Sequence, residues 1–221
     1  MNRIPEPELM EEADQALAYA QADFSIPHNH FVSLFAGYFP TRRLNRVLDL
    51  GCGTGDVLLR FARAFPEPEI HGLDGSSTML EQARMALAQS PDLADRVRLI
   101  HQLLPGKGLP YRRYDTLISN SLLHHLHDPQ LLWDAVLQHT QPGSALFIMD
   151  LMRPNNPQEA RELVETYSGD EPAILKTDFF NSLCAAFTLE EIEKQLQKAG
   201  LTGLCVQSVS DRHLTVHGVR D

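Results

Sequence analysis

Basic clusters, paired cysteines and long apolar runs are all missing from this 221-residue chain. Lys and Arg number 19 against 29 Asp and Glu, a formal net charge of −10. Nucleic-acid binding rests on clustered Lys and Arg, and Arg112-Arg113 is only a pair, so the balance argues against RNA or DNA as partner. Cys52, Cys184 and Cys205 are odd in number, far apart and without CxxC spacing, which suits free thiols in a reducing cytoplasm. No apolar run approaches the roughly 20 residues that span a bilayer. The opening Met1-Asn-Arg-Ile-Pro-Glu-Pro-Glu8 lacks the basic-then-apolar order of a secretory signal. Internal repeats and low-complexity tracts are absent too. The expectation is a cytoplasmic enzyme or binding protein.

What is present is an alternation of short apolar runs with helical patterns, on a chain long enough for one α/β domain and short for two. Residues 6–22 carry Leu9, Met10, Ala13, Leu17 and Ala20 on one helical face, a break follows at 23–27, and residues 28–39 read as a second helix stopped by Pro40. Strands are expected at 46–50, 69–73, 96–100, 114–119 and 144–151, with helices at 57–65, from Ser76 or Ser77 to Pro91, and from Asp128-Pro129 to about His139. That order predicts a parallel sheet covered on both faces. Residues 152–187 are polar and proline-containing and offer at best one helix, 157–167. Thr188-Leu-Glu-Glu191 is a capping box for a helix closed by Gly200, and 204–209 with 213–219 reads as an antiparallel pair. One domain over 1–221 is expected, with an N-terminal helical lid (1–43), a core (44–151), a substrate-side insertion (152–187) and a closing helix and strand pair (188–221).

The stretch Val47-Leu-Asp-Leu-Gly-Cys-Gly-Thr-Gly-Asp56 organises the rest. A strand entering a glycine turn and then a helix lets a ligand approach bare backbone. In the dinucleotide fingerprint G-x-G-x-x-G the third glycine comes one residue later than Gly55 does here, with Asp56 in that place. Asp49 ends the strand; an acid there repels a pyrophosphate and favours an ammonium group. Asp74, at the end of the next strand, can accept both hydroxyls of a ribose. Met79, one helical turn on, can flank an adenine ring or belong to the core. Together these describe an aminoacyl nucleoside as ligand.

Three motifs carry a family resemblance: Val47-Leu-Asp-Leu-Gly-Cys-Gly-Thr-Gly55, Gly72-Leu-Asp-Gly-Ser-Ser-Thr-Met-Leu80 and Tyr114-Asp-Thr-Leu-Ile-Ser-Asn-Ser-Leu-Leu-His-His-Leu126. Over about residues 44–151 the chain resembles class I S-adenosylmethionine-dependent methyltransferases. The resemblance implies a Rossmann-like three-layer fold with a seven-stranded sheet, order 3-2-1-4-5-7-6, strand 7 antiparallel. It implies S-adenosyl-L-methionine as cofactor, held by Asp49, Gly51, Cys52, Gly53, Gly55, Asp74, Gly75, Met79, Gln102, Leu103, Asn120 and Ser121. The segment after the third strand, His101-Gln-Leu-Leu-Pro105, departs from the pattern: it has no acid for the adenine amino group, so Gln102 or backbone groups take that contact.

On the acceptor side, His124 and His125 are candidates for a general base, against a packing role for the Leu-His-His-Leu element. Tyr19, Asp23, Phe24, His28 and Arg153 are candidates for substrate binding, with Asp178 and Arg212 further off. No metal site is expected, because consecutive histidines usually diverge and no carboxylate or Cys pattern accompanies them. The expected partner is a small-molecule methyl acceptor, with a homodimer as the expected assembly. The alternatives are a tRNA or protein methyltransferase and a non-catalytic S-adenosylmethionine-binding protein.

Overall fold

Pro5 and Pro7 keep the first residues out of a helix, since proline lacks the N–H and forces the residue before it into extended geometry. In a computed structural model describing residues 1–221, the helix expected over 6–22 accordingly begins only at Ala13 and runs Ala13–Gln21 (α1). Residues 1–12 form an irregular arm laid against the body. The break expected at 23–27 is shorter than predicted. Asp23 Oδ1 accepts from the backbone N–H of Ser25 at 2.9 Å, Pro27 falls in the first helical turn where its missing N–H is harmless, and Ser25–Tyr38 (α2) follows. Phe31 and Phe35 of α2 are fully buried. Their rings meet Phe147 at 4.7 Å and Phe61 at 4.8 Å between centroids.

Arg46–Leu50 (β1) is buried from Val47 onward. Asp56–Ala64 (α3), Glu69–Asp74 (β2), Ser77–Ala88 (α4), Val97–His101 (β3) and Thr116–Asn120 (β4) come next. Gln130–His139 (α5) and Ala145–Leu151 (β5) close the alternating part. Ser76 is the cap of α4, its hydroxyl accepting from Met79 N at 3.1 Å, and Asp128 Oδ1 accepts from Gln130 N at 3.0 Å at the start of α5. Because strand side chains alternate between faces, Leu48 and Leu50 join the core that surrounds Trp133, while Val47 joins the core of Phe31, Phe35 and Phe61 on the other face.

Residues 152–187 hold two helices rather than one, Pro157–Ser168 (α6) and Ala173–Ala185 (α7). Helix α7 escapes a periodicity reading because it packs on several sides at once, against α6, α1 and the Leu123–His125 turn. Its apolar residues therefore form no single stripe. The capping box is present as expected: Thr188 Oγ1 accepts from Glu191 N at 3.3 Å and Glu191 Oε2 from Thr188 N at 2.9 Å. It opens Leu189–Ala199 (α8), which ends at Gly200 in left-handed geometry. Cys205–Ser208 (β6) and His213–Val219 (β7) pair antiparallel. The sheet has seven strands in the order β3-β2-β1-β4-β5-β7-β6, with β7 antiparallel to β5 and the pairs from β3 to β5 parallel. The order reverses between β1 and β4, and the crevice above their C-terminal ends is where an open α/β sheet takes its ligand.

Candidate cofactor and acceptor site

The glycine turn uses its own N–H groups. Gly51 N and Cys52 N donate to Leu73 O at 2.7 and 3.1 Å, Gly53 N to Asp74 Oδ2 at 2.8 Å, and Gly55 N to Cys52 O at 2.9 Å. A turn with those donors occupied offers little to a phosphate. Beneath it Asp49 is buried at 1% exposure, and its Oδ2 has no hydrogen-bond partner. Burial, with the Asp74 charge nearby, raises the Asp49 pKa well above the ordinary carboxylate value. An ammonium group placed there would satisfy that oxygen and restore the charged form. Gly51 has φ +70°, and a Cβ on it would stand 2.8–3.0 Å from Leu122, so this side chain closes down on bare backbone. Cys52 points away from the crevice, its sulfur packed on Gly72, and brings only its backbone to the turn.

Asp74 is gripped from two sides, Oδ2 by Gly53 N and Oδ1 by Ser76 N at 2.8 Å. Those bonds fix the carboxylate and leave each oxygen a further lone pair. Burial, the largest influence, raises its pKa despite them. Met79 is buried, with its methyl 3.3 Å from where a Gly53 Cβ would be. Past β3, Gln102 gives its amide N–H to Lys107 O at 2.5 Å, which leaves its side-chain carbonyl as the acceptor for an amino group. Leu103 is 63% exposed, and with Leu9 of the arm it covers Gly75, where a Cβ would meet both side chains at 2.8–2.9 Å. The arm also ties to the start of α4: Ser76 Oγ donates to Met10 O at 2.7 Å and Thr78 Oγ1 to Glu11 O at 3.1 Å.

At the end of β4 the chain turns sharply. Ser121 takes φ +54°, a left-handed conformation uncommon outside glycine, and the Asn120 amide donates to Ser121 Oγ at 3.2 Å. His124 then sits at 2% exposure with Nδ1 bonded to Asp150 of β5. Asp150 Oδ2 also accepts from Leu123 N at 2.6 Å, and Oδ1 from Leu151 N at 2.6 Å. Burial opposes charge on His124, but Asp150 and Glu6 outweigh it and raise its pKa. His125 goes the other way, to about 3, through burial and the neighbouring His124. Glu6 of the arm reaches His125 Nδ1 at 3.2 Å and His124 Nε2 at 3.6 Å. Arg3 clamps the same turn, donating to His124 O at 2.8 Å and Leu126 O at 2.9 Å.

The candidates from the helical lid divide. The Tyr19 and Phe24 rings pack at 4.6 Å between centroids, tilted by 36°, and Phe24 lies 5.4 Å from the His28 ring. The Tyr19 hydroxyl has its pKa pushed up to about 12 by burial, with the Asp56 and Asp150 charges adding. His28 is turned to Asp56, Nδ1 to Oδ2 at 2.6 Å, and Arg60 holds the same carboxylate at 2.9–3.0 Å. Asp23 is exposed and serves the start of α2. Arg153 is drawn away from the crevice: it donates to Ala186 O at 3.0 Å and to Glu191 Oε1 at 2.7 Å. It borders a separate open cleft of about 620 Å³ with Asn155, Glu159, Glu162, Glu190 and Asp211, none of which belongs to the glycine turn. Asp178 takes a bond from Gln15 at 2.9 Å, and the Arg212 guanidinium lies over the Tyr167 ring.

Residues 48–146 match the family model described as a methyltransferase domain, the same span that supplies the turn, Asp74 and the histidine pair. Over those residues the chain is similar to methyltransferase domains. Trans-aconitate 2-methyltransferase of Deinococcus radiodurans is 34% identical over 109 residues, 49% of this chain and 39% of the relative. The 27-O-demethylrifamycin SV methyltransferase of Amycolatopsis mediterranei is 27% identical over 79% of this chain and 60% of its own length. The chain spans less than two thirds of both relatives. A solved plantazolicin methyltransferase, BpumL in complex with SAH, shares the fold at a TM-score of 0.71 and 15% identity over 94% of this chain and 89% of that one. Around the histidine pair, Asp150 and Glu6 were missed from sequence. Asp150 carried a signal, a lone acid in the otherwise apolar strand Ala145–Leu151; such a charge needs a buried partner. Glu6 carried none, since its position depends on the path of an irregular arm.

Proposed function

We propose that this chain transfers a methyl group from S-adenosyl-L-methionine to a small-molecule acceptor. The observation that carries the reading is the pair of acids under and beside the turn: unpartnered, buried Asp49 Oδ2 and doubly held Asp74. An amino group and a ribose are the complements of those two carboxylates, and the turn above them has its N–H groups taken up. Bound there, S-adenosylmethionine supplies an electrophilic methyl group on a sulfonium sulfur. The glycine turn, Met79, Gln102, Leu103, Asn120 and Ser121 line its place; the arm and α1 exclude water. Tyr19, Phe24 and the 124–125 turn border the acceptor. His124, its Nδ1 held by Asp150, is the side chain positioned to take a proton through Nε2 when the acceptor must lose one.

The relatives named for trans-aconitate and demethylrifamycin favour a small molecule, as does the net charge of −10, which disfavours tRNA. Free thiols at all three cysteines fit a reducing cytoplasm. Calorimetry tests the donor: S-adenosylmethionine and S-adenosylhomocysteine should bind at micromolar levels and NADH should not. NADH binding in their place would refute the assignment. Radiolabelled methyl transfer into a metabolite extract, beside bulk RNA and protein, tests the acceptor. Label in RNA or protein alone would move the reading to a macromolecule, and binding without label in any fraction would make the chain a non-catalytic binder.

A further inference from the structure

The Leu123–His125 stretch is a tight 3-10 turn, and in it the two neighbouring histidines converge, with ring centroids 4.2 Å apart. The general rule that consecutive residues diverge fails for this turn. Glu6 Oε1 joins them, and the three groups' ligand atoms all lie within 4.8 Å of one another. What matters is where the protons are. Asp150 accepts the Nδ1 proton of His124, so Nε2, 3.6 Å from Glu6 Oε1, is the nitrogen left to offer a lone pair to a cation. His125 Nδ1 is buried without a hydrogen-bond partner, 3.2 Å from Glu6 Oε1, and is the nitrogen that faces the same gap. Two imidazole lone pairs and a carboxylate thus face one small gap, at 3.2 and 3.6 Å across it. Lone pairs brought together away from water repel unless a cation stands between them.

We propose that Glu6, His124 and His125 bind one divalent transition-metal ion of the zinc type. Neutral imidazole and carboxylate are the ligand chemistry such an ion takes. The Asp150–His124 bond is the carboxylate support that fixes tautomer and ring orientation in histidine–metal sites. Three protein ligands leave a fourth position for water or an acceptor oxygen. The ion also pins the arm, since Glu6 comes from residues 1–12 and both histidines from the far side of the crevice. With metal bound, His124 Nε2 is a ligand rather than a free base, so the two roles exclude each other in any one form of the protein. The rival occupant of the gap is a single proton shared between His124 and Glu6.

Cobalt titration of tag-free, chelator-dialysed protein decides between them. One equivalent of Co²⁺ should produce the visible absorption of a four-coordinate site, and Zn²⁺ should abolish it. Glu6→Gln and His125→Asn should each weaken binding by roughly ten- to a hundredfold, with Trp133 fluorescence confirming the fold. Glu6 lies on the arm outside the sheet, so its variant keeps the test readable if His125→Asn misfolds. His30→Ala, at an exposed position of α2 away from the arm, should change nothing. No saturable cobalt spectrum, or one unaltered by Glu6→Gln, overturns the proposal. The spectrum needs neither cofactor nor acceptor, so its outcome is independent of the methyl-transfer reading.

Discussion

Asp49 and Asp74 stand at the ends of adjacent strands, yet they are held differently, and the difference sets what each variant should do. Asp74 is fixed by two backbone N–H groups, so its carboxylate is oriented before any ligand arrives. Replacing it by alanine removes a charge-assisted acceptor, worth about 1.5–3 kcal/mol. Asp74→Ala should weaken S-adenosylmethionine binding by roughly ten- to a hundredfold in calorimetry; unchanged affinity would reduce Asp74 to a turn-stabilising residue. Asp49 has no donor on Oδ2, and burial holds its pKa up. Asp49→Asn should therefore leave folding nearly intact while weakening a ligand that brings an ammonium group. Comparing S-adenosylhomocysteine with its deaminated analogue by calorimetry isolates that contact: the variant should lose the preference for the amine.

The turn between β1 and α3 is the element on which both acids depend. Gly51 has φ +70° and its missing Cβ would sit 2.9 Å from the Leu122 Cβ, an atom that cannot swing aside. Left-handed geometry alone costs a non-glycine residue about 1–2 kcal/mol. Gly51→Ala should lower unfolding free energy by at least that much in urea titration, and loss of less would mean the turn re-forms elsewhere. Elements like this were legible from sequence because glycine spacing, strand-length apolar runs and the Thr188–Glu191 capping box are local signals. The sheet order came from resemblance to a family. What stayed hidden depends on distant partners. Helix α7 packs on several sides and shows no stripe, the arm follows from Pro5 and Pro7 overriding an apparent helical face, and Arg153 turns to Glu191 rather than to the crevice. Among the candidate site residues, the glycines and Asp74 were readable because their backbone geometry is local. Glu6 and Asp150 meet the histidines only after the chain has folded.

At the scale of the molecule, stability should fall on mild acidification. His213, at the start of β7, has its pKa lowered to about 4 by burial, with the Arg212 charge next to it as the second cause and Asp150, Asp211 and His30 also facing it. Unfolded, a histidine titrates near 6.5. Between those values the unfolded chain binds a proton that the folded chain refuses, so stability rises with pH there and is lost as pH drops from about 6.5 toward 4. Each tenfold separation in acidity is worth about 1.4 kcal/mol. Asp56, whose pKa His28 and Arg60 hold below 3.8 against the opposing effect of burial, acts lower down: its contribution is present above 3.8 and lost only below it. His125, lowered further to about 3, shares the upper window, so a His213 variant is needed to attribute its part of the fall. Trp133 is the single tryptophan and is fully buried, with its indole N–H donating to Gln195 Oε1 at 2.9 Å, so its fluorescence reports unfolding of the core between α5 and α8. Urea midpoints followed by that signal should fall between pH 7.5 and pH 5. His213→Gln, which cannot take up the proton, should make the fall shallower while His125 keeps part of it; an equally steep fall in that variant would assign the acid sensitivity to other buried histidines.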